Sequence, residues 1–219
     1  MTETDQRRTH FDSTTSADAD AHLAVDIDEL RSEVQDKYRA VAEDPGRDFH
    51  FHTGRFMAAR AGYDRSVVDA LPDVAVESFA GVANPFHHRD IEPGEQGIDI
   101  GSGAGFDIFL AGRAVGPTGR VIGVDMTPTM LAKARSVAAE IGAHNVEFRE
   151  GFMEELPVDD GWADVVISNG VFNLAPDKKQ AFTEVWRTLR SGGVLQFADI
   201  ANGRDVPDEA MRHIDLWTG

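Results

Sequence analysis

The sequence predicts an α/β fold, a mostly parallel twisted sheet with helices on both faces, and three observations carry that expectation. From residue 96 onward, short β-branched runs alternate with helical patterns. The first run, Gly97-Ile98-Asp99-Ile100, breaks into the glycine loop Gly101-Ser102-Gly103-Ala104-Gly105, which opens a helix. The second, Gly119-Arg120-Val121-Ile122-Gly123-Val124-Asp125, follows about twenty residues later and ends in a carboxylate.

Residues 1–25 are polar, rich in threonine and aspartate, and aperiodic, which predicts a disordered tail. A helix is expected from Asp26, because Ile27, Leu30, Val34, Tyr38 and Val41 recur at spacings of three and four. Pro45-Gly46 ends it. Residues 26–95 are expected to form an N-terminal helical extension and substrate-side cap, with short helices near 55–61 and 64–70. The turn Glu92-Pro93-Gly94-Glu95 leads into the first strand.

Strands are expected near 97–100, 120–124, 145–149, 163–168 and 193–199, and helices near 104–114, 128–141 and 176–190. Thr127 caps the second of these helices, Pro128 stands in its first turn and Gly142 follows its end. The third carries Phe182, Val185, Trp186 and Leu189 inward and stops at Ser191-Gly192-Gly193. Residues 96–219 are expected to be one nucleotide-binding domain. The last residues read as a loop and a helix (Pro207 to Trp217), so the expectation is either that the chain is cut short or that another element covers the edge of the fifth strand, which uncovered would invite pairing with another molecule.

A chain of 219 residues can bury one full core. It contains no cysteine, which excludes disulfides and thiolate metal sites. The net charge of −17 argues against nucleic acid and anionic membranes as partners. No apolar run is long enough to cross a bilayer, and the first residues lack the apolar stretch of a signal peptide, which leaves the cytoplasm as the expected compartment. An open sheet edge makes a homo-oligomer an expectation worth testing.

A strand followed by G-x-G-x-G lets backbone press against a nucleotide-like ligand, where any Cβ would block the approach. The dinucleotide signature wants a third glycine one place later, where Phe106 stands. That departure disfavours NAD and favours the tighter loop of enzymes that use S-adenosylmethionine. An acid at the end of the second strand, Asp125, suits a ribose. In Glu150-Gly151-Phe152-Met153-Glu154-Glu155-Leu156-Pro157, Phe152 and Met153 can supply an apolar slot and a backbone amide for adenine, and Glu154 an acceptor for its amino group. After the fourth strand, Asn169 and Asn173 can meet the methionine part of the cofactor or the acceptor, although Asn173 equally suits a helix cap.

Neither His50 with His52 nor His87 with His88 has a spacing that puts two side chains on one helical face, so no metal site is expected. His52, Tyr63 and Asn84 are candidates to line the acceptor site, with packing or surface exposure as the alternative.

Residues 50 to 219 resemble the arsenite methyltransferases, a family of class I S-adenosylmethionine-dependent enzymes with a Rossmann-like fold. The resemblance rests on Phe79-Ala80-Gly81-Val82-Ala83-Asn84-Pro85-Phe86, on Asp99 to Asp107, on Val115 to Thr127 and on Ser168 to Lys178. It implies S-adenosylmethionine as cofactor and a sheet that normally ends in an antiparallel hairpin, which this chain is expected to lack. It also implies that Asp99, Gly101, Ser102, Gly103 and Gly105 contact the methionine and ribose. Asp125 and Met126 would take ribose and adenine, Phe152, Met153 and Glu154 the adenine, and Asn169 the methionyl group.

The departure from the family is as informative as the match. Its arsenic-binding cysteines fall in the Gly-Cys-x-Asn-Pro turn and after the Ser-Asn of the fourth strand, where this chain has Val82 and Gly170. A further family cysteine falls beyond Gly219. Without thiolates a soft As(III) centre loses its ligands. The expectation is methyl transfer to a small organic acceptor held between residues 50–86 and 169–173. A non-catalytic adenosyl-binding or scaffold protein is the alternative. An NAD-dependent oxidoreductase is disfavoured by Phe106 and by the lack of a recognisable Tyr/Lys or His set.

Overall fold

The computed structural model describes residues 26–201 and Gly203. Five strands form its sheet: β1 (Gln96–Ile100), β2 (Arg120–Asp125), β3 (Val146–Glu150), β4 (Ala163–Asn169) and β5 (Leu189–Ala198). All neighbours are parallel, in the order β3-β2-β1-β4-β5. This is the parallel sheet that the alternation of strands and helices predicts, in the class I Rossmann-like arrangement that the resemblance implies. Among the described residues no antiparallel hairpin follows β5. The tail at 1–25 and the helix expected from Pro207 to Trp217 lie outside the described residues.

The central strands are apolar on both faces because helices cover both. Val121, Val165 and Ile167 face a core built with Phe109 and Ala111 of α5 (Phe106–Val115) and Leu131, Ala134 and Val137 of α6 (Pro128–Ile141). Ile98, Ile100, Ile122, Val124 and Val166 face Ala181 and Val185 of α7 (Lys178–Thr188). Strand order reverses direction between β1 and β4, so the connections leaving these strands separate and open a crevice at their carboxyl ends.

The N-terminal segment contributes α1 (Ile27–Glu43), α2 (Gly54–Arg60), α3 (Arg65–Asp69) and α4 (Asp73–Val76). The Asp26 side chain starts α1 by accepting the backbone N–H groups of Asp28 and Glu29. The predicted stripe is the buried one, with Leu30, Val34 and Val41 inward, and each burial is worth about 1.5–3 kcal/mol. Leu30 and Val34 meet Leu174, whereas Val41 and Ala42 meet Ala104 and Met130. Lys133 of α6 fastens this layer, donating to the Ala42 carbonyl, Ser78 Oγ and Glu77 Oε1 at 3.2, 2.9 and 2.6 Å. That union places α1 across the crevice mouth.

Three local expectations are corrected. The third α/β helix ends at Thr188, because Leu189 is extended (φ −72, ψ 133) and pairs with Ala163. A register shift then carries the ladder past Gly192 to the Val165–Val194 pair. That helix buries Ala181, Glu184, Val185 and Thr188, leaving Trp186 82% exposed and Phe182 40% exposed. Its inward face is rotated because Glu184 is useful inside, accepting the Leu156 N–H at 2.8 Å and pairing with Arg187 at 2.7 Å. Thr127 precedes α6 without a side-chain cap bond; its own N–H donates to Asp125 Oδ1 at 2.8 Å.

Candidate functional site

The glycine loop is built by backbone geometry that side chains would spoil. Gly101 (φ +73), Gly103 (φ +51) and Gly105 (φ +101) all lie in the left-handed region, in which other residues are strained. The N–H groups of Gly101 and Ser102 donate to the Val124 carbonyl at 2.8 and 3.1 Å, which lashes the loop to the end of β2. Asp125 completes the lashing: its Oδ2 accepts the Gly103 N–H at 2.9 Å while Oδ1 holds Thr127.

Above this loop lies a cavity of about 1080 Å³, its mouth included. Its floor is Asp99 to Ala104 and its sides are Val124 to Thr127, Gly151 to Glu154 and Asn169 to Val171. Leu30, Arg31, Val34 and Tyr38 of α1 roof it. Ten of the sequence-predicted cofactor residues therefore stand on one wall: Asp99, Gly101, Ser102, Gly103, Asp125, Met126, Phe152, Met153, Glu154 and Asn169.

Gly105 is not on the wall. Its role is to begin α5, and a Cβ there would meet Phe109 Cε2 at 2.5 Å. The four acceptor candidates also stand outside the wall. His52 is exposed and packs edge-on against Phe56. Asn84 starts the short 3-10 turn Pro85–His87 by accepting the Phe86 N–H at 2.9 Å. The Asn173 backbone N–H donates to Asp199 Oδ2 at 3.0 Å. The helix cap suggested for Asn173 falls to Asp177, which accepts the Gln180 N–H.

Tyr63 is buried behind the wall, and its hydroxyl donates to Asp107 Oδ1 at 2.5 Å. Asn169 Nδ2 contacts Asp107 Oδ2 and the Ala83 carbonyl at 3.0 and 2.7 Å, and its Oδ1 accepts the Val82 N–H at 2.8 Å. The amide of Asn169 thus latches the 81–83 segment to β4. Gly81 makes the latch possible, since a Cβ there would stand 2.4 Å from Asn169 Nδ2.

The charge of the cavity is one-sided. Asp99, Asp107, Asp125 and Glu154 line it, with Arg31 the one basic residue among the described lining residues. Buried Asp99 Oδ2, Ser102 Oγ and Glu154 Oε1 have no hydrogen-bond partner among the described residues. Burial raises the Asp99 carboxyl well above the usual range, reinforced by Asp107 and Asp125. Burial likewise raises Asp125, opposed by the N–H groups of Thr127 and Gly103. The Tyr38 phenol is pushed up to about 12 by burial and by Asp125 and Asp199, so it stays protonated.

Asp107 is pushed up to about 6 by burial, against the donors Tyr63 and Asn169. A carboxyl whose folded pKa exceeds its unfolded value binds its proton more tightly when folded. The stability it contributes is complete below about pH 4 and is lost as the pH rises through about 6. Relative to Asp107→Asn, the free protein is expected to lose on the order of 2–3 kcal/mol across that window, read by urea denaturation. Parallel pH profiles for the two proteins would show that folding does not raise the Asp107 pKa.

Buried, unsatisfied acceptors beside an excess of carboxylates suit a cationic ligand and repel a pyrophosphate. S-adenosylmethionine, with its ammonium and sulfonium groups, fits this wall; a dinucleotide does not. Sequence reasoning missed Asp107, Tyr38 and Arg31. The signal for Asp107 was its place in the first turn of a helix opened by a glycine loop. For Arg31 it was the flank of the apolar stripe formed by Ile27, Leu30 and Val34.

Comparison with known proteins agrees with this geometry. Residues 91–217 match the profile described as a methyltransferase domain. The chain is 40% identical to an arsenite methyltransferase of Halobacterium salinarum, over 98% of this chain and 58% of that protein. It is 42% identical to an arsenite methyltransferase of Aquipseudomonas alcaligenes, over 57% of this chain and 38% of that protein. The chain thus spans little more than half, or less, of these curated relatives. Among solved structures, an arsenic(III) S-adenosylmethionine methyltransferase from Chlamydomonas reinhardtii superposes with a TM-score of 0.62 at 35% identity, covering 67% of this chain and 51% of that one. A family profile matched over more than half of this chain, on a fold and a cavity of the kind that family needs, makes this chain a member of the methyltransferase domain family, with a class I fold, a similarity to arsenite methyltransferases and S-adenosylmethionine as the implied cofactor.

Proposed function

We propose that the chain transfers a methyl group from S-adenosylmethionine to a small organic acceptor. The observation that carries this reading is the buried, unpartnered Asp99 Oδ2 at the floor of a carboxylate-lined cavity over the glycine loop. When bound, the cofactor supplies an electrophilic methyl on a sulfonium with a good leaving group. The protein then has to position the partners and exclude water.

Asp99 and Ser102 would hold the methionine end, Asp125 the ribose, and Phe152, Met153 and Glu154 the base. The segment 79–83, latched by Asn169, would present the acceptor. Residues 26–95 then act as the acceptor-side cap, because α1 and Ala75 to Gly81 complete the cavity wall.

An organic acceptor is favoured by Val82 and Gly170. A Cβ on Gly170 would stand 3.1 Å from Val82 Cγ1, so these two positions face each other. They are the positions at which the resemblance places arsenic-binding cysteines. Here they offer a methyl group and bare backbone, which give a soft cation no ligand.

The test supplies the full chain with methyl-labelled S-adenosylmethionine and either arsenite with a thiol or a panel of catechols, amines and thiols. Label on an organic acceptor alone is the expected result. Label on arsenite would overturn the acceptor assignment. No transfer from a chain that still binds S-adenosylhomocysteine would favour an adenosyl-binding protein without catalysis.

A further inference from the structure

Arg31 of α1 reaches the adenine end of the proposed cofactor site from outside the α/β domain. Its guanidinium carbon sits 4.2 Å from the centroid of the Phe152 ring, and its Nη2 lies 3.6 Å from Glu154 Oε2. The cation–π contact and the ion pair together fix the guanidinium. Two polar atoms of this pair are left over. Arg31 Nε and Glu154 Oε1 are both buried and neither has a hydrogen-bond partner among the described residues. Both residues line the cavity.

A buried orphaned donor and a buried orphaned acceptor, on two residues that line one cavity and form an ion pair, are costly unless a ligand satisfies both. The amino-bearing edge of adenine offers the complement: an exocyclic N–H donor next to a ring-nitrogen acceptor. We infer that Arg31 is a specificity-determining residue for the base, its Nε–H donating to a ring nitrogen while Glu154 Oε1 accepts from the exocyclic amino group. This rests on the cofactor reading above. It explains why α1 carries an arginine on the flank of its apolar face, with its head against Phe152. A hypoxanthine base reverses the pattern, with a carbonyl oxygen and a ring N–H on the same edge. It would set acceptor against acceptor and donor against donor, and sites built on paired hydrogen bonds reject such analogues strongly.

The test is calorimetric titration of the full chain with S-adenosylhomocysteine and with S-inosylhomocysteine, for the natural sequence, Arg31→Met and Arg31→Lys. Binding is read directly, without turnover. The natural chain is expected to prefer the adenosyl ligand by about tenfold or more, the scale of one or two hydrogen bonds. Arg31→Met keeps an apolar stem and removes the donor; it should weaken the adenosyl ligand about tenfold while leaving the inosyl ligand unchanged or slightly tighter. Arg31→Lys keeps the charge facing Glu154 but lacks the planar Nε, and should lose the same preference.

An unchanged ligand ratio in Arg31→Met, or equal losses for both ligands, would overturn the assignment and leave Arg31 a fastener of α1. Restoration of the preference by lysine would also overturn it, since charge alone would then suffice. Failure of the natural chain to bind either ligand would overturn the cofactor reading itself, and this inference with it.

Discussion

Gly103→Val is expected to weaken S-adenosylhomocysteine binding by about a hundredfold or more while the protein stays folded. Gly103 holds φ +51, and a Cβ built there meets nothing closer than the Gly101 carbonyl oxygen at 4.0 Å. The added side chain therefore points into the cavity rather than into protein, and its isopropyl group takes the space that the ligand backbone needs. Strain in the left-handed region costs about 1–2 kcal/mol of stability, too little to unfold an ordinary domain. Gly142→Val is the matched control. Gly142 also lies in the left-handed region, at φ +66, ends α6 far from the cavity, and would place its Cβ 3.8 Å from His144 Nε2. The two variants should lose similar stability, and only the first should lose the ligand. Normal binding by Gly103→Val would mean that the ligand lies away from the loop.

Asp125→Ala is expected to weaken the same ligand by about 1.5–3 kcal/mol, the scale of losing hydrogen bonds to a charged group. The carboxylate has two duties. It clamps the loop through the Gly103 and Thr127 N–H groups, and its remaining lone pairs face the cavity. Alanine should therefore also cost stability, about 1–3 kcal/mol for two backbone donors left unpaired. Asp125→Asn keeps one oxygen and so one of the two backbone clamps, while its amide nitrogen faces the other N–H and no charged acceptor remains for the ribose hydroxyls. The expected order of affinity is natural chain, then Asn, then Ala, with both variants less stable than the natural chain in urea denaturation. Reduced stability with unchanged affinity in both variants would show that Asp125 only clamps the loop.

What the sequence made legible was the part of the site held together locally. β1, the glycine loop and β2 are consecutive, and their geometry is imposed by residue types with few alternatives: β-branched runs, glycines at positive φ and a terminal carboxylate. The loop after β3 was legible for the same reason. What escaped was contributed across the fold. Arg31 enters the cavity wall because Lys133 and the Leu30–Val34 stripe dock α1 over the crevice, a consequence of packing that no motif records. Asp107 gained its character from Tyr63 and Asn169, 44 and 62 residues away.

Tyr63 and Asn169 show the same limit from the other side. Tyr63, expected to line the acceptor site, is engaged behind the wall, and Asn169, which does line the cavity, commits its amide to Tyr63, Asp107 and the 82–83 backbone, because hydrogen-bond valence is spent by tertiary neighbours. The face of α7 was misjudged because apolar periodicity cannot anticipate a buried Glu184 that is satisfied by Arg187 and the Leu156 N–H.

The central claim is that the carboxylate-lined cavity over the glycine loop binds an adenosyl cofactor and no dinucleotide. Its most direct test is calorimetric titration of the purified chain with S-adenosylmethionine and S-adenosylhomocysteine, with NAD as the control. Saturable micromolar binding of both adenosyl ligands, with no heat from NAD, is the predicted result. Binding of NAD, or silence toward all three from a chain with a cooperative melting transition, would contradict it.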